Sequence, residues 1–182
     1  MSQIIGISGS LRRGSFNTSL LRAAVELMPA GDELKIESID GIPLYNGDVE
    51  AEGIPKRVAE LKKAITEADG LLLSTPEYNN SIPGVLKNAI DWISRPASDI
   101  KGIFGGKPVA LMGASLGGFG TVLSQNAWLP VLRTLGTKPW FGGRLLVSRA
   151  ATVFDEHGKL IDENVRKQLE QFLRGFVEFV RT

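Results

Sequence analysis

Apolar strands and amphipathic helices alternate along almost the whole chain. Residues 70–75 (GLLLST) form a short and nearly continuous apolar run, as strands buried on both faces of a parallel sheet do. Such runs are separated by stretches in which apolar residues recur at helical spacing, for example Val58, Leu61 and Ile65. Because parallel strands are joined through crossover helices, this alternation predicts an α/β fold, with a parallel sheet between two layers of helices.

We predict five strands and five helices. The strands cover 4–8, 34–39, 70–75, 108–113 and a segment within 140–147; the helices cover 20 to about 29, 55–68, 83–94, 121–135 and 162–181. The second strand alternates apolar and polar residues, which is typical of a half-exposed edge strand. We expect the strand order 2-1-3-4-5, one of the two common orders of doubly wound sheets. The length suits one domain, residues 1–182.

Composition excludes several functional classes. Lys and Arg number 21 against 20 Asp and Glu, so nucleic acid and anionic membranes are not expected as main partners. The chain has no cysteine, which removes disulfides, thiol nucleophiles and cysteine metal sites. We see no secretory signal and no membrane-length apolar run, so we expect a cytoplasmic protein without membrane insertion. The sole histidine, His157, lies in a polar turn and is expected to be solvent-exposed, which leaves neither a metal centre nor a Ser-His triad.

Three loops rich in Gly, Ser and Asn follow the first, third and fourth predicted strands, at 9–19, 76–84 and 113–121. Ligands of such sheets bind beyond the carboxyl ends of the strands, so we expect these loops to meet in one site. The first loop precedes a helix, whose free N–H groups and dipole favour an anion. Its glycine spacing matches neither a Walker loop nor the dinucleotide-binding motif. A single terminal phosphate is therefore the favoured ligand, and the alternative is a plain strand end with Ser15 or Asn17 as helix N-cap.

The three loops carry a family resemblance. Residues 9–17 (GSLRRGSFN) resemble the phosphate loop of the NADPH-dependent FMN reductase family, which includes chromate and quinone reductases and some azoreductases. Residues 75–92 (TPEYNNSIPGVLKNAIDW) resemble the second motif of that family over its full length, and residues 113–121 fit a third loop in position and glycine content. The resemblance extends over essentially the whole chain. It implies a flavodoxin-like fold, bound FMN, and NADPH or NADH as the electron donor.

The resemblance also implies a set of cofactor-binding residues, with no catalytic residue because FMN carries the chemistry. The first loop would hold the FMN phosphate, the second would flank the isoalloxazine ring, and the third would approach its pyrimidine side. Backbone N–H groups from Ser115 to Gly118 would stabilise the negative charge of the reduced ring. Glu77 and Tyr78 have an alternative interpretation, in which they only cap and pack the third predicted helix. The implied set is Ser10, Leu11, Arg12, Ser15, Phe16, Asn17, Thr18, Pro76, Glu77, Tyr78, Asn79, Asn80, Ser115, Gly117 and Gly118.

We therefore expect an enzyme that passes two electrons from NADPH or NADH through FMN to quinones, azo compounds or chromate, in ping-pong order. The alternatives are a flavodoxin-type electron carrier, against which the near-neutral charge counts, and a flavin-sensing binding module.

The third and fourth predicted helices are broadly apolar, which predicts a homodimer or homotetramer with these helices at the interface. Their large apolar residues include Leu129 and Val131, and also Trp92, Trp128 and Leu132, which we expect either in the core or at a subunit interface. Arg95 and Lys101, in the linker after the third helix, are further candidates for contact with the NADPH phosphate or an anionic acceptor.

Overall fold

The computed structural model describes residues 1–182 and contains six β-strands and seven α-helices. The strands are β1 (Gln3–Ser8), β2 (Glu33–Glu37), β3 (Gly70–Ser74), β4 (Pro108–Ala114), β5 (Lys138–Pro139) and β6 (Leu145–Val147). The helices are α1 (Phe16–Glu26), α2 (Gly47–Glu52), α3 (Lys56–Glu67), α4 (Gly84–Ile93), α5 (Ile100–Phe104), α6 (Val122–Thr134) and α7 (Glu163–Val180). Short 3-10 turns lie at Ala97–Asp99 and Ala150–Thr152.

All strand pairs are parallel, and the order β2-β1-β3-β4-β5 confirms the predicted topology. The fifth position differs from the prediction, because two short strands share it. β5 pairs with the start of β4 (Pro108 opposite Lys138) and β6 pairs with its end (Met112 opposite Leu145). Pro139 cannot donate a ladder hydrogen bond and two glycines follow at 142 and 143, so one continuous strand is interrupted here.

The sheet separates two apolar cores, which makes the fold a three-layer sandwich. Leu72 packs with α1 and α7 on one face, whereas Leu71 and Leu73 pack with α3, α4 and α6 on the other. Burial on both faces explains why β3 is apolar at consecutive positions instead of alternating. β2 lies at the sheet edge and is only partly buried, as its alternating sequence predicted.

Three helices differ from the prediction. α1 begins at Phe16, so residues 16–19 form its first turn instead of belonging to the loop, and Ser15 is the N-cap whose side chain accepts from the Thr18 N–H. α2 and α5 were not predicted. α2 has no buried residue and therefore no apolar periodicity; its start is marked by Asn46, whose side chain accepts from the Asp48 N–H at 2.9 Å.

The large side chains of α4 and α6 are core residues of this chain. Trp92 and Trp128 are completely buried, and Leu132 is nearly so. The Trp92 indole donates to the Pro43 carbonyl, and the Trp128 indole donates to Thr75 Oγ1. Of the two places expected for Trp92, Trp128 and Leu132, the core or a subunit interface, the structure shows the core. None of the helices is both long and apolar enough to cross a lipid bilayer.

Candidate active site at the carboxyl edge of the sheet

The loops after β1, β3 and β4 meet at one edge of the sheet and line a cavity of about 600 Å³. This volume lies within the usual range of small-molecule sites, roughly 300–1,000 Å³. The first two loops are in direct contact, because a Cβ at Gly9 would lie 2.8 Å from Pro76 Cδ. Eleven of the implied residues line the cavity: Ser10, Arg12, Ser15, Phe16, Asn17, Pro76, Glu77, Tyr78, Ser115, Gly117 and Gly118.

Four implied residues do not line the cavity. Leu11 is exposed, and Thr18 donates its hydroxyl to Ser8 Oγ at 2.9 Å. Asn79 and Asn80 both have positive φ, 51° and 59°. They form the two-residue turn of a tight hairpin whose flanking residues, Tyr78 and Ser81, exchange two backbone hydrogen bonds. Asparagine tolerates this left-handed conformation, so turn geometry accounts for both residues here.

One end of the cavity is suited to an anion. The first-turn N–H groups of Phe16 and Asn17 have no acceptor within the protein. The Arg12 guanidinium lies over the Phe16 ring, 5.4 Å from its centroid, and Ser10 Oγ lies beside the Arg12 backbone. Free N–H groups at a helix N-terminus, a guanidinium and a hydroxyl are the donor set that binds phosphate.

The Asn17 side chain joins the three loops beneath the cavity. Its amide nitrogen donates to the Ala114 carbonyl at 2.9 Å, and its amide oxygen accepts from the Ala114 N–H at 3.0 Å and from Ser74 Oγ at 3.1 Å. The residue is 3% exposed. The buried amide therefore ties the start of α1 to the ends of β3 and β4, and it leaves the Asn17 backbone N–H as the group that faces the anion end.

Glu77 caps a helix, although a different one from the helix predicted. Its carboxylate accepts from the N–H groups of Leu123 and Ser124, at 2.8 and 3.0 Å, at the start of α6. Thr121, the residue at the N-cap position, makes no side-chain capping bond itself. The carboxylate occupies the positive end of the α6 dipole, so that helix end is not free for a ligand.

The third loop offers fewer free donors than predicted. The Ser115 N–H donates to the Val147 carbonyl, and Ser115 Oγ donates to the Gly120 carbonyl at 2.6 Å. The N–H groups of Leu116, Gly117 and Gly118 have no acceptor within the protein. These three groups are the donors available to the far end of a ligand.

Four residues that sequence reasoning did not select also line the cavity, namely Ala114, Leu116, Phe119 and Gly120. Leu116 and Phe119 flank the Gly117-Gly118 pair and are 68% and 84% exposed. Together with Tyr78 they give this end of the cavity an apolar and aromatic rim. The signal in the sequence was two large apolar residues inside a glycine-rich loop.

Arg95 and Lys101 lie outside the cavity. Arg95 is paired with Glu50, at 3.2 Å, and lies over the Tyr45 ring. Hydrogen bonds from the Tyr45 hydroxyl and from Arg95 lower the pKa of Glu50. Lys101 is exposed on α5.

Comparison with known proteins identifies the family of the chain. The family model described as NADPH-dependent FMN reductase matches residues 2–152. An NAD(P)H-dependent FMN reductase of Pseudomonas aeruginosa is 44% identical over 179 residues, 98% of this chain and 95% of that protein. A 2-hydroxy-1,4-benzoquinone reductase of Burkholderia is 37% identical over 98% of this chain and 96% of that protein. The structure of an NAD(P)H:(acceptor) oxidoreductase from Paracoccus denitrificans is similar with a TM-score of 0.89 and 33% identity, over 100% of this chain and 98% of that one. The chain therefore belongs to the NADPH-dependent FMN reductase family and has its flavodoxin-like fold.

Proposed function

We propose that the protein is an FMN-dependent enzyme that oxidises NADPH or NADH and reduces quinones. The observation that carries this proposal is the single cavity lined by three loops, with phosphate donors at one end and an apolar rim at the other. The printed names of the Pseudomonas and Burkholderia relatives, an FMN reductase and a quinone reductase, support the same activity.

The residues present fit FMN. The N–H groups of Phe16 and Asn17, with Arg12 and Ser10, would hold its phosphate. The N–H groups of Gly117 and Gly118 would face the polar edge of the ring. When bound, FMN supplies the two-electron hydride chemistry, so the protein has only to bind, orient and leave one ring face open.

The polar groups of the cavity are suited to binding and orienting FMN, which itself supplies the chemistry. The Glu77 carboxylate is already held by two α6 N–H groups, which makes it a positioning group rather than a proton donor. The third loop is glycine-rich, so its backbone can approach a planar ring closely. Its free N–H groups would favour negative charge on the ring edge that they face.

We extend the proposed acceptors to azo compounds and chromate. The cavity is open to solvent and its rim, formed by Tyr78, Leu116 and Phe119, is apolar and exposed. Such a rim accepts flat azo compounds of varied structure, whereas chromate, a tetrahedral anion, would approach through the open mouth without binding to the rim. Because one opening serves both donor and acceptor, we propose that they bind in turn, in ping-pong order.

We also propose that the protein forms a homodimer or homotetramer that includes α4 and α6. The exposed apolar side chains of these helices are Val85 and Leu123, and Tyr78, Leu116 and Phe119 continue this surface around the cavity mouth. A second copy would cover Val85 and Leu123 and border the cavity mouth, where it would complete the wall of the donor pocket without closing the opening. Light scattering on the purified protein tests this, and a monomer at micromolar concentration would contradict it.

Anaerobic titration of the FMN-loaded protein tests the enzymatic function. NADPH or NADH should bleach the flavin absorbance rapidly, and benzoquinone should restore it without oxygen. A protein that binds FMN but is bleached only over hours would be a carrier or sensor instead. Steady-state rates that give intersecting instead of parallel double-reciprocal lines would contradict ping-pong order.

A further inference from the structure

A second cavity, of about 270 Å³, lies where the fifth strand position of the sheet is split. β5 pairs with β4 only as far as Val109, and β6 pairs with β4 only from Met112. Ala110 and Leu111 therefore have no paired residue on this side, and Leu111 is only half-buried although β4 is an inner strand. The cavity occupies this gap, between β4, α6 and the loop that joins β5 to β6.

Much of the cavity wall is apolar, and the loop that contributes to it is held in place by packing. Phe141 lies at the rim and is 74% exposed. The neighbouring Trp140 indole packs edge-on against Phe172 of α7, with the ring centroids 5.0 Å apart. Gly142 and Gly143 lie so close to this indole that a Cβ on either would come within 2.6 Å of it. The cavity is therefore preformed, and its aliphatic wall consists of Val109, Leu111, Leu129 and Pro139.

A buried amide in this cavity has an unused acceptor. Gln125 is only 5% exposed, and its side-chain nitrogen donates to Thr121 Oγ1 at 3.1 Å and to the Leu145 carbonyl at 3.0 Å. Because a carbonyl can only accept, the second bond identifies which end of the amide is the nitrogen. The other end, Gln125 Oε1, takes part in no hydrogen bond of the protein. Since Gln125 lines the cavity, this oxygen is available to a donor bound there.

The charge of the cavity comes from a single residue. Arg144 is the only charged side chain in the wall, which contains no Asp or Glu. Its guanidinium donates to Asn126 Oδ1 at 3.1 Å, which places it on the α6 side of the cavity. Arg144 forms no ion pair, whereas four other arginines do, at positions 57, 95, 166 and 181. The cavity is therefore suited to a ligand with one negative charge.

We propose that the second cavity binds a monocyclic aromatic carboxylate that also carries a hydroxyl group, as the hydroxybenzoates do. The volume suits one substituted ring, since a cavity of about 150 Å³ binds benzene. The ring packs against the aliphatic wall and Phe141, the carboxylate pairs with the Arg144 guanidinium, and the hydroxyl donates to Gln125 Oε1. The second cavity shares no lining residue with the first, so this inference goes beyond the proposed function and does not depend on it.

Calorimetric titration with 3- and 4-hydroxybenzoate tests the ligand class. The titration is made in saturating FMN, which would occupy the first cavity. At least one isomer should bind with 1:1 stoichiometry. Benzoate, which lacks the donor to Gln125 Oε1, should bind about fivefold more weakly, and the uncharged hydroxybenzamide about tenfold more weakly. Failure of both isomers to bind, or equal affinities for the hydroxybenzoate and its amide, would overturn the proposal.

Variants test the location of the site. Arg144→Gln should weaken binding of the hydroxybenzoate about tenfold, and the ligand should leave the flavin absorbance unchanged. Arg22→Gln is the matched control, because Arg22 is an exposed arginine without an ion pair on α1, which packs on the other face of the sheet; its affinity should equal that of the unmodified protein.

Two results would assign the ligand or the cavity elsewhere. A shift of the flavin absorbance on ligand addition, with the same affinity in Arg144→Gln, would place the ligand on the flavin. A change of oligomeric state in Phe141→Ser, measured by light scattering, together with no binding to the unmodified protein, would assign the cavity to contact with a second copy of the chain. Either result would refute the proposed site.

Discussion

Replacing Asn17 with alanine would test whether one buried amide holds the three loops together. The substitution removes a donor to the Ala114 carbonyl and the acceptor of both the Ala114 N–H and the Ser74 hydroxyl. Each intramolecular hydrogen bond contributes about 1 kcal/mol, and a buried donor left without an acceptor costs about 1–3 kcal/mol. The higher helix propensity of alanine offsets this loss by about 0.5 kcal/mol in the free energy of unfolding.

The net loss in the free energy of unfolding should therefore be about 3 kcal/mol. For a domain of this length, that corresponds to a fall in Tm of about 6–12 °C. Thermal unfolding of the flavin-free protein is the appropriate assay, because bound FMN would add its own stabilisation. Thr18→Ala is the matched control on the same helix; it removes one hydrogen bond, to Ser8 Oγ, and should cost about 1 kcal/mol.

FMN affinity should fall together with stability, because the amide sets the spacing of the loops that bind the cofactor. If Asn17→Ala were no less stable than Thr18→Ala, the amide would not tie the loops. If FMN affinity fell while the flavin-free Tm stayed unchanged, the side chain would instead bind the phosphate directly. Either result would refute the positioning role.

Three further predictions concern other parts of the fold. Glu77→Ala should lower the free energy of unfolding by about 1–2 kcal/mol in urea titrations, because α6 loses its cap, and Glu77→Gln should lose less; no loss in the alanine variant would contradict this. Gly113→Ala should lower Tm far more than Gly118→Ala, since a Cβ at 113 would overlap a carbonyl and a threonine side chain, whereas nothing lies within 4 Å of one at 118; equal Tm values would contradict it. Burial opposes ionisation of Asp32, but the N–H of residue 2 and the Arg181 guanidinium outweigh burial and lower the pKa of its carboxyl. This stabilisation is present above the pKa of about 4 that Asp32 has in the unfolded chain, and it is lost as the pH falls through the lower pKa of the folded state. Asp32→Asn should therefore weaken the decrease of Tm at acid pH. An unchanged decrease of Tm would contradict this prediction.

Most element positions were predictable because they follow from local periodicity, and the sheet order was predictable because doubly wound sheets use few strand orders. The apolar run of β3 follows from burial on both faces of the sheet, and the helical spacing of α3 follows from burial of one helix face. The split of the fifth strand was not predicted, although Pro139 and two glycines stood in its sequence. Helix α2 was also not predicted, because a helix without a buried face has no apolar periodicity in its sequence.

The candidate site was predictable at the level of loops and less so at the level of side chains. Eleven implied residues line one cavity, as expected for loops that leave neighbouring parallel strands at one edge. The direction in which each side chain points was not predictable from the sequence. Thr18 faces Ser8, and Glu77 faces α6, 46 residues away along the chain. Such pairings depend on which elements become neighbours in space.

The sequence by itself determined the three-layer fold, the edge of the sheet where the three loops meet, and the family of the protein. Periodicity and loop composition are local properties, so they can be recognised before folding is known. Only the tertiary structure decided which polar groups remain free. The side chains of Asn17 and Ser115 form hydrogen bonds with backbone carbonyls. Those of Ser19 and Arg22 have no hydrogen-bond partner within the protein. The physical reason is that hydrogen bonding is short-ranged and directional, so a side chain's role depends on the atoms that folding places within about 3 Å of it.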